Sequence, residues 1–219
     1  NGVKDGMEKF DIVAGVILCA MRHEQNSLEV VNLCIEHEGV IGFDLAGPEV
    51  GFSVLNHKEA STLANENNVN VTLHADWEVP EGIKEVVLDS GAKRVGHGSQ
   101  IINDVSFKNG SIIFNNEAAK YVFENKIALE ICPTSNVQCG AYSNVSEHSF
   151  GELYKAGFNV TINTDNRLMS DITMSEEVNN VVESFGLGEK DILSITKNTI
   201  EAGFVEPKLR SGLLEKLDN

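Results

Sequence analysis

The sequence predicts an α/β protein, a (β/α)8 TIM barrel of which about six strand–helix units are visible in 219 residues. Three observations predict it. Short apolar runs of strand length alternate with amphipathic stretches along the whole chain. Those runs are apolar throughout, as expected for a parallel sheet covered by helices. Five successive runs then end in polar or glycine-containing chemistry: "DLAG", "LHAD", "GHG", "CPTSN" and "NTDN". In a parallel barrel the C-terminal strand ends share one mouth, where chemistry sits; a doubly wound sheet concentrates its site at one switch point.

The elements follow in order. "DIVAGVILCAMRH" is the first strand run and "SLEVVNLCIEHEG" the first helical pattern. "VIGFDLAG" then precedes "NHKEASTLANENN", and "NVTLHA" precedes "VPEGIKEVVLDSGA". "RVGHG" leads to "NNEAAKYVFENK", and "IALEICPTSN" to "EHSFGELYKAG". "NVTINTD" leads to "MSEEVNNVVESFG", and a last helix covers 189–203. The strand runs are rich in Val and Ile and bounded by Gly or Asn. Gly39, Gly91, Gly157 and Gly186 mark helix ends, where a left-handed residue is needed. Val178, Val181 and Val182 form the packing stripe of one helix. No linker or composition shift divides the chain, so residues 1–219 are expected to form a single domain.

Composition narrows the function. The net charge of -16 argues against nucleic acid and anionic membranes as partners, because their phosphates attract Lys and Arg. A small molecule in its own pocket is the expected partner; oligomeric state is not readable. No apolar run reaches the ~18 residues of a membrane span, and the start has no signal-peptide core. Cys19, Cys34, Cys132 and Cys139 lack a CxxC pairing and read as reduced packing thiols of a cytoplasmic protein. No GxGxxG or GxxxxGK[ST] follows any strand, which disfavours a nucleotide-phosphate cradle.

Three strand-end residues carry the chemistry. His74 ends "NVTLHA"; His97 lies between Gly96 and Gly98; Asp165 follows "VTIN". A buried carboxylate needs a cation, a metal or several donors. Two imidazoles and a carboxylate at one mouth form a ligand set for a divalent metal.

"GFDLAGPE", "LHA", "RVGHG", "EICPTSNVQ" and "INTDNRLMS", in this order, resemble the adenosine deaminase family over about residues 15–205. The resemblance implies a zinc-dependent (β/α)8 barrel, with one Zn2+ per chain, that deaminates adenosine hydrolytically to inosine in purine salvage. By the matching motifs, His74 would be a zinc ligand. Asp165 would be a second ligand and would hold the attacking water. His97 would orient that water and stabilise developing charge. Gly47 would line the purine site through its backbone, and Asn166 would hydrogen-bond the purine.

The chain departs from the family pattern in three places. It has no His-x-His pair, and about the first third of the family fold is not visible, so the chain is expected to be a piece of a longer protein or to omit segments. Six units would not close an eight-stranded barrel. The family's His-Ala-Gly-Glu is here "HADWE": Trp77 stands where the proton-donating Glu is expected, leaving Glu78 or Asp76 as the acid. Asn166 replaces a frequent Asp. These departures keep open a deaminase of adenine or another modified purine, or a non-catalytic relative.

Other histidines read as structural. His148 sits near a helix start, with Ser146 as its cap, and is expected to support the site rather than bind metal. His23 ends the first run and faces the mouth. His37 and His57 fall on helical stretches and are expected at the surface; Arg167 is assigned no chemistry.

Overall fold

The structure is a computed structural model describing residues 2–75, 79, 81–108 and 110–218. It opens with α1 (Gly2–Phe10), then β1 (Val16–Met21), α2 (Ser27–Glu36) and β2 (Val40–Ala46). A 3-10 turn (Val54–His57) feeds α3 (Lys58–Glu66), followed by β3 (Asn70–Ala75). One α turn, α4 (Gly82–Lys84), continues into a π turn (Glu85–Asp89) before β4 (Arg94–His97). Next come β5 (Val105–Lys108), β6 (Ser111–Phe114), α5 (Glu117–Glu124), β7 (Ala128–Ile131) and α6 (Pro133–Gln138). The chain ends with α7 (Phe150–Ala156), β8 (Val160–Ile162), α8 (Arg167–Ser170), α9 (Met174–Phe185), α10 (Glu189–Ala202) and α11 (Pro207–Leu217).

Six strands form one parallel sheet in the order β1-β2-β3-β4-β7-β8, each neighbour reached through helical crossovers. This sequential parallel order is that of a (β/α) barrel rather than of a doubly wound sheet. The C-terminal ends Ala46, Ala75, His97, Ile131 and Ile162 therefore share one rim. Short backbone bonds extend the ladder there: Arg22 N–H to Ala46 O at 2.8 Å, Gly98 N–H to Ala75 O at 3.0 Å and Asn163 N–H to Ile131 O at 2.9 Å.

The strands differ from the expected all-apolar runs. Phe43, Leu45, Val71, Leu73, Val95, Leu129 and Ile131 are fully buried among Val31, Ala60, Val86, Val122 and Leu153 from the helices. Each large side chain so buried contributes on the order of 1.5–3 kcal/mol. The alternate positions are polar. Asp44, Thr72, His74, Arg94 and Glu130 occupy them, because side chains of a strand alternate between faces and a barrel's inner face can be hydrophilic. Arg94 Nε pairs with Glu130 Oε1 at 2.7 Å, and Thr72 Oγ1 donates to Glu130 Oε2 at 2.7 Å. The Arg94 guanidinium lies 3.6 Å above the Phe204 ring.

Several expectations need correction. The β5–β6 antiparallel hairpin and helices α1 and α11 add to the six units. His57 is buried, not at the surface: Nδ1 meets Ser27 Oγ at 2.9 Å and Nε2 meets Arg22 O at 2.9 Å. It falls where the 3-10 turn meets α3, a junction pressed against the start of α2, so the helical-face argument does not apply to it. Ser146 is not a cap. Asn144 caps the 3-10 turn Val145–Glu147 through its side chain, and α7 begins after Ser149 without a side-chain cap. Gly157 and Gly186 are left-handed helix C-caps at φ 90° and 64°, as expected. No helix among the described residues is long and apolar enough to cross a membrane.

Candidate active site at the C-terminal strand rim

His74 is positioned by register. It pairs with Gly96 across β3 and β4, and Ala75 pairs with His97. A Cβ on Gly96 would lie 2.8 Å from His74 Cγ and Nδ1, so only glycine admits the imidazole at this place. His74 Nδ1 meets Asp44 Oδ1 at 3.0 Å, and Asp44 Oδ1 also accepts the Leu45 N–H at 2.7 Å. Arg22 donates to the His74 carbonyl, tying the end of β1 to that of β3. Burial alone would depress the His74 pKa. The Asp44 charge and hydrogen bond, with Glu130 and Asp165 beyond, outweigh it and raise the value to about 9.

His97 ends β4 and Asp165 lies just beyond β8; Asp165, expected to be a buried carboxylate, is exposed because it stands past the strand end at the open rim. Both have left-handed backbones, φ 56° and 55°, in residues with a Cβ, and such conformations persist only where surrounding structure enforces them. Their side chains face each other, His97 Nε2 to Asp165 Oδ2 at 3.9 Å. Ser135 Oγ donates to the same Asp165 oxygen at 2.7 Å. Asn136 Nδ2 meets His97 Nδ1 at 3.2 Å. The His74 and His97 rings stand edge to face with centroids 5.2 Å apart. Cys132 completes a group with His97 and Asp165 whose donor atoms all lie within 4.8 Å.

Among the described residues, His97, Cys132 and Asp165 form the group close enough to share a cation, and the predicted ligand His74 stands outside it. Asp44 occupies His74 Nδ1 and leaves Nε2 for a metal, the usual arrangement of a carboxylate behind a ligating imidazole. The carboxylates that raise the proton affinity of His74 would attract a metal ion for the same reason.

The other predicted residues fall as follows. Gly47 follows β2 with φ 105°, and a Cβ there would lie 3.0 Å from Met21 Cε and 3.6 Å from His23 Nδ1. His23 is therefore at the rim, as expected. Asn166 is exposed and caps α8 by accepting the Met169 N–H at 3.2 Å, which leaves its amide nitrogen out of that bond. Asp76 and Glu78, the candidate acids, lie outside the described residues. His148 is buried behind the site, with Nε2 3.1 Å from Asn136 Oδ1, in the supporting place expected for it.

Sequence reasoning missed Asp44, Ser135, Asn136 and the placement of Cys132. The signal for Asp44 was a carboxylate inside the apolar run "VIGFDLA". Cys132, read as a packing thiol, faces the site as well as being buried. Cys19 and Cys139, also read as packing thiols, are exposed instead, whereas Cys34 and Cys132 are buried. A separate cleft of about 920 Å3 opens beside Gly15, Val40, Asn70, Lys93 and Phe204, at the N-terminal ends of the strands and away from this chemistry.

Imidazoles and carboxylates gather at the C-terminal rim of a sequentially ordered parallel sheet, the arrangement of a partial (β/α)8 barrel with its chemistry at the mouth. The adenosine deaminase family pattern matches residues 1–219, and the chain belongs to that family. An adenosine deaminase from Mycobacterium sp. (strain JLS) is 38% identical over 208 residues, covering 93% of this chain and 57% of the relative. The chain thus spans a little over half the length of that relative. The N6-methyl-AMP deaminase of Arabidopsis thaliana superposes with a TM-score of 0.78 at 27% identity, over 93% of this chain and 58% of its own. An amidohydrolase from Burkhoderia ambifaria with bound Zn superposes with a TM-score of 0.86 at 20% identity, over 99% of this chain and 59% of its own.

Proposed function

We propose that the whole protein is a zinc-dependent hydrolase acting on a C–N bond, removing the 6-amino group of adenosine to give inosine and ammonia. The observation that carries this reading is the convergence of His74, His97 and Asp165 at one rim, in a chain matched end to end by the family. His74 through Nε2 and Asp165 through a carboxylate oxygen would hold the zinc. The remaining ligands of the family pattern come from a His-x-His pair absent from this sequence. Bound zinc lowers the pKa of a coordinated water toward ~7 and so makes a nucleophile available at neutral pH.

The chain's own residues do the rest. Ser135 holds one Asp165 oxygen and so sets the direction of the carboxylate. His97 faces that oxygen and orients the attacking water toward C6 of the purine. Glu78 or Asp76 is the acid that protonates ring N1, and a placed general acid contributes ~10²–10⁴-fold. The backbone of Gly47 and the amide of Asn166 border the purine. Residues 1–219 belong on this reading to a single catalytic barrel domain, and the enzyme to the cytoplasm.

A second reading is a deaminase of adenine or of an N6-methylated purine. Asn166 favours it, because an amide both donates and accepts, and the N6-methyl-AMP deaminase of Arabidopsis thaliana shares the fold. Ammonia or methylamine release by the full-length, zinc-loaded protein from adenosine, adenine and N6-methyl-AMP separates the readings. Adenosine is expected to have the highest kcat/KM. Zinc bound at the site with no amine released from any of the three would defeat both readings and leave a non-catalytic relative.

A further inference from the structure

Behind His97 stands a buried histidine to which the reaction assigns no step. His148 is 3% exposed, and Tyr142 covers its ring with centroids 4.1 Å apart. The Tyr142 hydroxyl bonds Ser149 Oγ at 2.9 Å, and Ser149 Oγ donates to Ser99 O at 2.8 Å, so the ring is clamped from its face. His148 Nδ1 accepts the Phe150 N–H at 2.9 Å. Burial first, and then the neighbouring His97, hold the His148 pKa down to about 4, and the Phe150 N–H directed at Nδ1 itself requires a neutral ring. A neutral imidazole that accepts at Nδ1 carries its proton on Nε2.

The direction of the next two bonds follows. His148 Nε2–H donates to Asn136 Oδ1 at 3.1 Å. The Asn136 amide is thereby oriented with its nitrogen toward His97 Nδ1, 3.2 Å away. An amide nitrogen only donates, so His97 Nδ1 accepts. With Nδ1 accepting from that amide, the ring's proton lies on Nε2, the nitrogen that faces Asp165 Oδ2.

We propose that His148 and Asn136 are positioning residues that fix the tautomer of His97, so that it offers an N–H donor, not a lone pair, to the reacting oxygen. The inference deepens the deaminase reading and rests on it for the identity of that oxygen. His97 in this form stabilises negative charge developing on the oxygen. It is not arranged to take the water's proton at Nε2.

The test is a long-range proton–nitrogen correlation spectrum of the full-length, zinc-loaded protein labelled with 15N-histidine. His97 is expected to show a protonated Nε2 and an unprotonated Nδ1. Asn136→Asp replaces the donor by an acceptor; it should put a proton on His97 Nδ1 and lower kcat about 10²-fold with KM within about threefold, the scale of losing one aligned donor. His148→Gln keeps an amide donor and should retain most of kcat, whereas His148→Leu should lose about tenfold. A wild-type His97 protonated at Nδ1 alone overturns the proposal, and that spectrum decides the matter even if a variant fails to fold. An Asn136→Asp protein unchanged in both spectrum and kcat also overturns it. The expected tautomer in a zinc-loaded protein that deaminates no purine would instead strike the deaminase reading and leave the positioning chain standing.

Discussion

Gly96→Ala tests the site at one atom. The added Cβ would stand 2.8 Å from His74 Cγ and Nδ1 and 3.0 Å from its Cα. Ordinary contact begins near 3.4 Å, so the ring must retreat by roughly 0.6 Å or the strands must part. The ring cannot retreat without lengthening its 3.0 Å bond to Asp44, which is itself tied to the Leu45 N–H. Overpacking of this kind costs about 1–3 kcal/mol. Loss of the carboxylate behind a ligating histidine typically costs 10–100-fold in metal affinity or activity. The variant of the full-length protein is therefore expected to melt several degrees lower and to lose zinc at roughly tenfold or more lower chelator concentration. Gly212→Ala is the control: nothing lies within 4 Å of its Cβ, it sits in α11, and the change should be neutral or stabilising by up to ~1 kcal/mol. If Gly96→Ala binds zinc and melts as the wild type does, His74 is not held as described.

Other consequences are open to measurement. Asp44→Asn removes the charge that raises the His74 pKa. The raised value means that the interaction stabilises the metal-free protein fully below the ordinary histidine pKa of 6.5 and is lost as pH rises through about 9. Chelated wild type should out-melt Asp44→Asn at pH 6 by an amount worth on the order of 1–2 kcal/mol, and the gap should close by pH 10; a gap that widens with pH would reverse the assigned sign. Glu177 is fully buried and accepts both the Thr134 N–H, at 2.8 Å, and the Thr134 hydroxyl. Glu177→Ala should cost about 2–4 kcal/mol in chemical denaturation, and Glu177→Gln clearly less. Thr173 closes a capping box with Glu176 at the start of α9, so Thr173→Ala should cost ~1 kcal/mol, read as a lower melting temperature.

The parallel order of six strands was legible because apolar runs, helix stops and strand-end chemistry recur at regular spacing. The β5–β6 hairpin was not read, although the Asn109-Gly110 dipeptide between "VSFK" and "SIIF" is a hairpin signal, because it lies inside what reads as one long connection. His74, His97 and Asp165 could be picked out since imidazoles and a carboxylate at strand ends are conspicuous by type. Their partners were not. Asn136 meets His97 across 39 positions and Ser135 meets Asp165 across 30, contacts that no local pattern encodes. Glu176 and Glu177 are adjacent and alike in sequence. One caps a helix in solvent, while the other is buried against Thr134 across 43 positions. His57 misled for the same reason, since its burial comes from α2 and the β1–α2 loop rather than from its own helix.

The most direct test is ammonia release from adenosine by the full-length protein, stripped by a chelator and then given one equivalent of zinc, beside the Asp165→Ala and His74→Ala variants. Activity should vanish on stripping and return with zinc in the wild type, and each variant should fall by at least ~10³-fold with or without added metal. Full activity in the stripped wild type, or in either variant, would contradict the claim that His74 and Asp165 hold the metal on which deamination depends.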